Sequence, residues 1–367
     1  MVNDWSFRFL NYVIYPSSSF SKRGDAGEVI KPMTPGSLIT YTNKGLYCKE
    51  GDFYIDPWKK VDKAVITHAH ADHARWGMKS YLAYKGNEGI LKHRLGKDIG
   101  FRGEDFNTPV SINGVEVTFF PAGHIPGSAQ VRIRNKKECW VVSGDYKLNQ
   151  DGISHPFEPV TCDHFITEST FGLPVFQWEE SNEVFRKLNS YWKECVSAGE
   201  NLLVSAYSLG KSQRVLANLD YSIGDVFIHS AIHQSNLALL DQFPSFKSFT
   251  HNTRLVKEIS KDKNKPFLVL SPPAGISDAL IKKLGKHRSV SCSGWMAIRG
   301  TKRWNNYDKG FVISDHADWN ELNTACLATK AENIYVTHGY SDSFSRYLSE
   351  KHGLNAQVLK TQFGEGE

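Results

Sequence analysis

The stretch VITHAHADHARWG, residues 65–77, constrains how this chain can fold, because it places three histidines and one aspartate within six consecutive positions. A helix would send His68 to the side away from His70 and His73, and a strand would put His73 on the face opposite the other two. A loop leaving a buried strand can turn all three, together with Asp72, toward one point. Crowded imidazole and carboxylate groups most often bind a metal ion, so we predict a metal-binding loop here.

Short apolar runs recur along the chain and predict the strands of an α/β fold. The predicted strands are KAVIT, VEVTFF, AQVRIR, CWVVS, HFIT, NLLVS, DVFIH, PFLVL, FVIS and NIYVT. Helical periodicity is concentrated in the second half, in SNEVFRKLNSYWKECVSAG, KSQRVLANLD, ISDALIKKLGK and SDSFSRYLSEKHG. This pattern indicates a pair of sheets flanked by helices.

Side chains that can bind a metal ion or transfer a proton follow the carboxyl ends of several predicted strands. Ligands of α/β sheets bind at this edge. The side chains are His68, His124, Asp145, Glu168, His316 and His338. His68 and His70 can share one ion, while Asp72 and His73 point toward another. His124, Asp145 and His338 would complete the two shells, with Asp145 as the bridge because a carboxylate has two oxygens. Taken singly, each of these three is equally compatible with a structural hydrogen bond.

The chain has 367 residues, a net charge of +5, 40% hydrophobic residues and 12% aromatic residues. This length suits two compact units, and the mildly basic charge is compatible with a polyanionic partner without requiring one. Six widely spaced cysteines predict reduced thiols. No signal peptide and no membrane-spanning run is recognisable, so we expect a soluble cytoplasmic protein with no membrane partner.

Several motifs together resemble one family. THAHADH is similar to the H-x-H-x-D-H signature of the metallo-β-lactamase fold. GHIPGSAQ, SGDY, TESTFG, SDHAD and THGY follow in the order found in its nucleic-acid-processing branch, the β-CASP nucleases. Longer stretches, among them GLYCKEGDFYIDPW and YSLGKSQRVLANLD, resemble the bacterial ligase-associated DNA exonucleases in particular. The resemblance runs from about residue 37 to the end of the chain.

The resemblance implies an αββα sandwich with an inserted α/β domain. Residues 1–36 would be an N-terminal extension, and residues 37–175 the first part of the metallo-β-lactamase domain. Residues 176–309, called the inserted unit below, would be the β-CASP cap, and residues 310–367 would complete the first domain.

The resemblance also implies a pair of zinc ions, for which Mn²⁺ could substitute. One ion would be bound by His68, His70, His124 and Asp145, and the other by Asp72, His73, His338 and the shared Asp145. Asp56 would orient a ligand histidine. A histidine at position 338 is typical of RNA-acting members, whereas DNA-acting eukaryotic members often lack it.

Four residues are predicted to be catalytic: Asp72, Asp145, Glu168 and His316. Two divalent ions can generate a hydroxide for in-line attack on phosphorus. His316, supported by Glu168, would then protonate the leaving 3′-oxygen. The alternative for His316 is a phosphate clamp or structural hydrogen bond without proton transfer, and Asp315 and Asp318 are expected to stabilise its loop.

Nucleic-acid contacts are predicted in the inserted unit, where residues 282–310 contain eight Lys or Arg against one acid, with tryptophans interleaved. Such a pairing is typical of single-strand channels, although a solvated basic surface with buried tryptophans is the alternative. The YSLGKSQR segment could hold a strand phosphate at a helix start, but it lacks the pattern of an ATP-binding loop. The predicted substrate-binding residues are Ser208, Lys211, Arg214, Arg299, Lys302 and Arg303.

We therefore expect a zinc-dependent DNA exonuclease of DNA repair that acts on single-stranded DNA or DNA with a free end. An ATP-dependent DNA ligase and a helicase are its expected functional partners. An RNase of the same family is the alternative. A small-molecule metallo-hydrolase and an inactive nucleic-acid-binding scaffold are less favoured, because the inserted unit is present and all seven ligand positions are filled.

Overall fold

The computed structural model describes residues 31–32, 36–150, 152–260, 265–298 and 306–359. Three sheets form its framework, two with seven strands and one with six. Most of the extension predicted for residues 1–36 lies outside the described residues. Its Lys31–Pro32 segment, however, pairs antiparallel with the next strand as part of the first sheet.

The first sheet combines antiparallel and parallel pairing. In spatial order its strands are β1 (Lys31–Pro32), β2 (Ile39–Thr42), β3 (Gly45–Cys48), β4 (Phe53–Ile55), β5 (Lys63–Ile66), β6 (Ser80–Tyr84) and β7 (Phe101–Glu104). From β4 to β7 the strands run parallel. The predicted metal loop therefore begins at the carboxyl end of a parallel strand, β5. Helix α1 (Glu88–Leu95) packs on the outer face through Ile90, Leu91 and Leu95.

The second sheet repeats this mixed pattern. In spatial order its strands are β8 (Val110–Ile112), β9 (Val115–Pro121), β10 (Ala129–Arg134), β11 (Cys139–Val142), β12 (His164–Glu168), β19 (Asn333–Thr337) and β20 (Asn355–Val358). Helices α7 (Trp319–Ala328) and α8 (Ser341–His352) cover its outer face. Helix α7 starts with a capping box, in which Asp318 accepts from the Glu321 amide at 2.8 Å and Glu321 accepts from the Asp318 amide at 3.0 Å.

The first two sheets bury their inner faces against each other. Phe53 and Val65 of the first sheet share an apolar core with Val117, Val131 and Trp140 of the second. With helices on both outer faces, the arrangement is an αββα sandwich, and the fold class predicted from the sequence is confirmed.

The third sheet is entirely parallel. In spatial order its strands are β15 (Thr253–Leu255), β14 (Val226–Ile228), β16 (Leu268–Ser271), β13 (Asn201–Ser205), β17 (His287–Cys292) and β18 (Lys309–Phe311). Its helices are α2 (Ser181–Ser197), α3 (Lys211–Asn218), α4 (Ser230–Leu239), α5 (Lys247–Asn252) and α6 (Asp278–Leu284). Strand β18 spans the domain boundary predicted at residue 309, and the domain division itself stays a prediction.

One strand prediction is wrong in its position. The run FVIS (residues 311–314) was expected to be extended and paired, but β18 ends at Phe311 and the next three residues form no strand. None of the helices in the described ranges combines the length and apolarity needed to cross a bilayer.

Candidate metal centre and catalytic residues

The loop after β5 is fixed at its first residue by Asp56. One carboxylate oxygen of Asp56 accepts from the Thr67 amide at 2.8 Å, and the other accepts from the Thr67 hydroxyl at 2.5 Å and from His73 Nδ1 at 2.7 Å. Asp56 itself adopts a left-handed backbone conformation with φ of 41°, which aspartate tolerates better than most residues. This set of bonds turns the loop so that His73 faces inward.

The predicted ligand residues converge around Asp145, which follows β11. Asp145 Oδ2 lies 3.5 Å from His68 Nε2 and 3.6 Å from His124 Nε2, while Oδ1 lies 3.4 Å from His73 Nε2. The inward nitrogens of His70 and His124 are 3.0 Å apart. One carboxylate therefore faces two groups of histidines, as a bridging ligand would.

Four groups of side chains in the described part of the chain bring their ligand atoms within 4.8 Å of one another, and two of the four consist only of predicted metal ligands. These two are His68, His70, His124 and Asp145, and Asp72, His73 and Asp145. His338 lies beside the second group, with its ring centroid 5.5 Å from that of His73. Asp72 and His338 also line a small cavity with His73, and the Asp72 side chain is 45% exposed. The structure thus brings all seven predicted ligands together, and their role as ligands stays a proposal.

The protonation of the cluster suits cation binding. Burial, reinforced by neighbouring histidines, lowers the pKa of His68 and His124 well below the usual range, so both are neutral donors. Burial opposes protonation of His73 as well, but Asp145 and Asp72 outweigh it and raise its pKa well above the usual value. The proton on His73 thus sits where carboxylates attract positive charge, and a metal ion would displace it.

Two buried nitrogens point to the same conclusion. His68 Nε2 and His73 Nε2 have no hydrogen-bond partner among the described residues, although both are shielded from solvent. Buried polar atoms are normally paired, so an unpaired nitrogen beside a carboxylate needs a reason. This donor set of imidazoles and carboxylates is suited to a metal ion such as zinc, and the cluster can hold metal ions.

Glu168 and His316 form a hydrogen-bonded pair beside the cluster. His316 Nδ1 donates to Glu168 Oε2 at 2.9 Å, and the Tyr146 amide and Thr170 hydroxyl donate to the same carboxylate at 2.8 and 2.5 Å. Burial works against a charged imidazole, but Glu168 and Asp145 overcome it and raise the pKa of His316 to about 9. His316 is therefore suited to donate a proton near neutral pH.

The predicted substrate-binding residues are distributed differently from expectation. Lys211 and Arg214 are buried, with exposures of 5% and 1%, and cannot meet a strand phosphate at the surface. Lys211 forms an ion pair with Asp315, and Arg214 donates to the Ser314 carbonyl at 2.8 Å. This placement corrects the expectation of a phosphate site at the start of α3 and indicates a structural role for both residues.

Ser208 is half-buried at the same turn, and its substrate contact stays a prediction. Arg299, Lys302 and Arg303 lie outside the described residues. Within the described part of the basic stretch, Lys282, Lys283 and Lys309 are exposed, whereas Arg288 is bound to Glu200 at 2.6 Å.

Two contributors to the site were missed at the sequence level. Thr67 joins Asp56 to the loop, and its hydroxyl oxygen lies 3.1 Å from His68 Nδ1. The Leu209 carbonyl lies 3.3 Å from His70 Nε2. Position 67, directly after a strand and before the first histidine, could have been noticed, but a backbone carbonyl leaves no signal in a sequence.

No family model matches the chain. Three relatives illustrate what it is similar to. A probable DNA ligase of Opitutus terrae is 26% identical over 86% of this chain and 30% of that protein. Endoribonuclease YSH1 of Saccharomyces cerevisiae is 30% identical over 44% of this chain and 26% of that protein. Cleavage and polyadenylation specificity factor subunit 3-I of Arabidopsis thaliana is 24% identical over 71% of this chain and 43% of that protein.

The chain thus spans less than half the length of each of these relatives. Among solved structures, a protein of unknown function from Enterococcus faecalis V583 aligns with a TM-score of 0.54 and 12% identity, covering 82% of this chain and 80% of that one. This likeness supports the fold alone. Taken with the sandwich and its histidine cluster, these similarities agree with the resemblance to the β-CASP branch of the metallo-β-lactamase family.

Proposed function

We propose that the chain is a metal-dependent phosphodiesterase acting on nucleic acid. The observation that carries this proposal is the double cluster around Asp145, with the Glu168–His316 pair beside it. The names of the relatives, an endoribonuclease and a cleavage and polyadenylation specificity factor subunit among them, agree with a nucleic-acid substrate.

The proposed cofactor is a pair of Zn²⁺ ions, replaceable by Mn²⁺. His68, His70, His124 and Asp145 would hold one ion, and Asp72, His73, His338 and Asp145 the other. When bound, such a pair supplies an activated water and offsets charge on the phosphoryl group. Water adds to phosphorus as the P–O3′ bond breaks. The protein's own part is to position these ligands and to deliver a proton from His316 to the leaving oxygen, with Glu168 fixing the ring.

Within this class we propose a DNA exonuclease of DNA repair, located in the cytoplasm and working with a DNA ligase and a helicase. The similarity to a protein named a probable DNA ligase, across 86% of this chain, favours that reading. An RNase is the second candidate, because His338 occupies the position typical of RNA-acting members and YSH1 is named an endoribonuclease.

A single assay separates the candidates. Purified protein is incubated with end-labelled DNA and RNA strands of matched sequence, with Zn²⁺ or Mn²⁺. A ladder of products shortened stepwise from one end of the DNA is expected. Preferential cleavage of the RNA strand would favour the second candidate, and intact strands under all conditions would overturn the proposed function.

Replacing one ligand tests the metal cluster itself. H70A or D145A is expected to reduce cleavage by about 10³-fold, because the metal supplies several kcal/mol of transition-state stabilisation. H93A, which removes an exposed histidine outside the cluster, is the matched control and should cleave normally. Circular dichroism must show all three variants folded, and normal cleavage by folded D145A would contradict the mechanism.

A further inference from the structure

Two backbone carbonyls, one in the inserted unit and one in the loop after β18, contact histidines of the metal cluster. His70 Nε2 lies 3.3 Å from the carbonyl oxygen of Leu209, and His124 Nδ1 lies 2.7 Å from that of Asp315. Because a carbonyl oxygen can only accept, both outward nitrogens carry the proton and donate. The inward nitrogens, His70 Nδ1 and His124 Nε2, are then left with the lone pairs that a metal needs.

The two carbonyls are held in place by one turn of the inserted unit. Leu209 belongs to this turn, and Lys211 at its end forms an ion pair with Asp315 in which the carboxylate is fully buried. Arg214, one helical turn further, donates to the Ser314 carbonyl at 2.8 Å. The turn therefore fixes both the Leu209 carbonyl and the loop that carries the Asp315 carbonyl.

Gly210 brings the turn and the loop into contact. Its φ of +91° lies in the left-handed region, and a Cβ placed there would stand 2.5 Å from Ile125 Cγ2, next to His124, and 2.7 Å from Asp315 Oδ2. A side chain at this position would push the loop away from the turn. The backbone approach needed for the Lys211–Asp315 pair thus depends on glycine.

We propose that residues 209–214 of the inserted unit position His70 and His124, so that the ion bound by His68, His70, His124 and Asp145 is held tightly only while the inserted unit is docked. Lys211 is a positioning residue: it acts on His124 through Asp315 and does not contact the substrate. This inference rests on the proposed metal cluster. It adds that tight binding of one ion depends on contacts from the inserted unit.

The test measures metal binding without nucleic acid. The double variant K211M/D315N removes both charges of the buried pair while keeping its shape, so the fold is retained. Zn²⁺ affinity is measured by competition with a chromophoric chelator, and Co²⁺ absorption reports the ligand geometry. We expect one of two ions to bind about 10-fold more weakly, with an altered Co²⁺ spectrum. K193M, which breaks the surface ion pair with Asp220 in the same unit, should bind like the parent.

Unchanged affinity and spectrum in the folded double variant would overturn this inference alone, whereas a parent protein that binds no Zn²⁺ would overturn the proposed function. K211M by itself leaves Asp315 buried without a counter-charge, so its loss of fold would be uninformative. G210A provides an independent variant, because it displaces the loop without changing any charge, and the same selective loss of one ion is expected.

Discussion

At the residue scale, the hydrogen bond from His316 to Glu168 allows proton transfer to be separated from binding. H316A is expected to lower kcat by about 10²-fold with little change in KM, because a general acid acts on the transition state. E168Q should produce a smaller loss of the same kind, since the ring loses its charged partner. Steady-state kinetics on an end-labelled strand provide the measurement. A rise in KM at constant kcat would instead identify His316 as a phosphate clamp.

Much of the site could be read from single residues in the sequence. The three histidines of the 65–77 stretch, and polar residues after later strands, were enough to predict a cluster that the structure brings together. The partners behind it could not be read in this way. The Lys211 side chain looked like a phosphate ligand, because a sequence does not reveal that its charge is buried against Asp315, which lies 104 positions further along the chain.

At the element scale, α1 and α4 come close enough that one glycine decides their packing. A Cβ on Gly89 of α1 would collide with the Ala238 carbonyl oxygen of α4. G89A would normally stabilise a helix by about 1 kcal/mol, but here we expect a loss of about 1–3 kcal/mol from overpacking. Urea unfolding measures the change. L237A, at a 42% exposed position of α4, is the control and should have little effect. A G89A protein as stable as the parent would refute the close approach.

The helices and strands differ in how clearly the local sequence predicts them. Helix α2 was predicted closely, because its apolar residues recur with helical spacing over 17 residues. Helix α1 was missed, since eight residues with little separation of polar and apolar sides resemble a loop. Strands β2 to β4 are three or four residues long, and their stability comes from pairing with neighbours that no local pattern reveals.

At the scale of the whole molecule, the burial of the cysteines predicts which thiols a reagent can reach in the folded protein. All six cysteines are free, five are buried, and burial raises the pKa of every thiol. We expect a thiol reagent near pH 8 to label only the half-buried Cys139, slowly, in the folded protein and all six thiols after denaturation. Mass spectrometry counts the labels, and C139S should remove the slow reaction. Rapid labelling of two or more thiols would contradict this packing.

The path of the chain out of the third sheet has a consequence for the position of His316. Strand β18 is hydrogen-bonded into that sheet up to Phe311, and His316 follows after only four intervening residues. With so short a connection, a displacement of the third sheet would also draw the His316 imidazole away from Glu168. The general acid proposed for this chain is therefore coupled to the position of the third sheet.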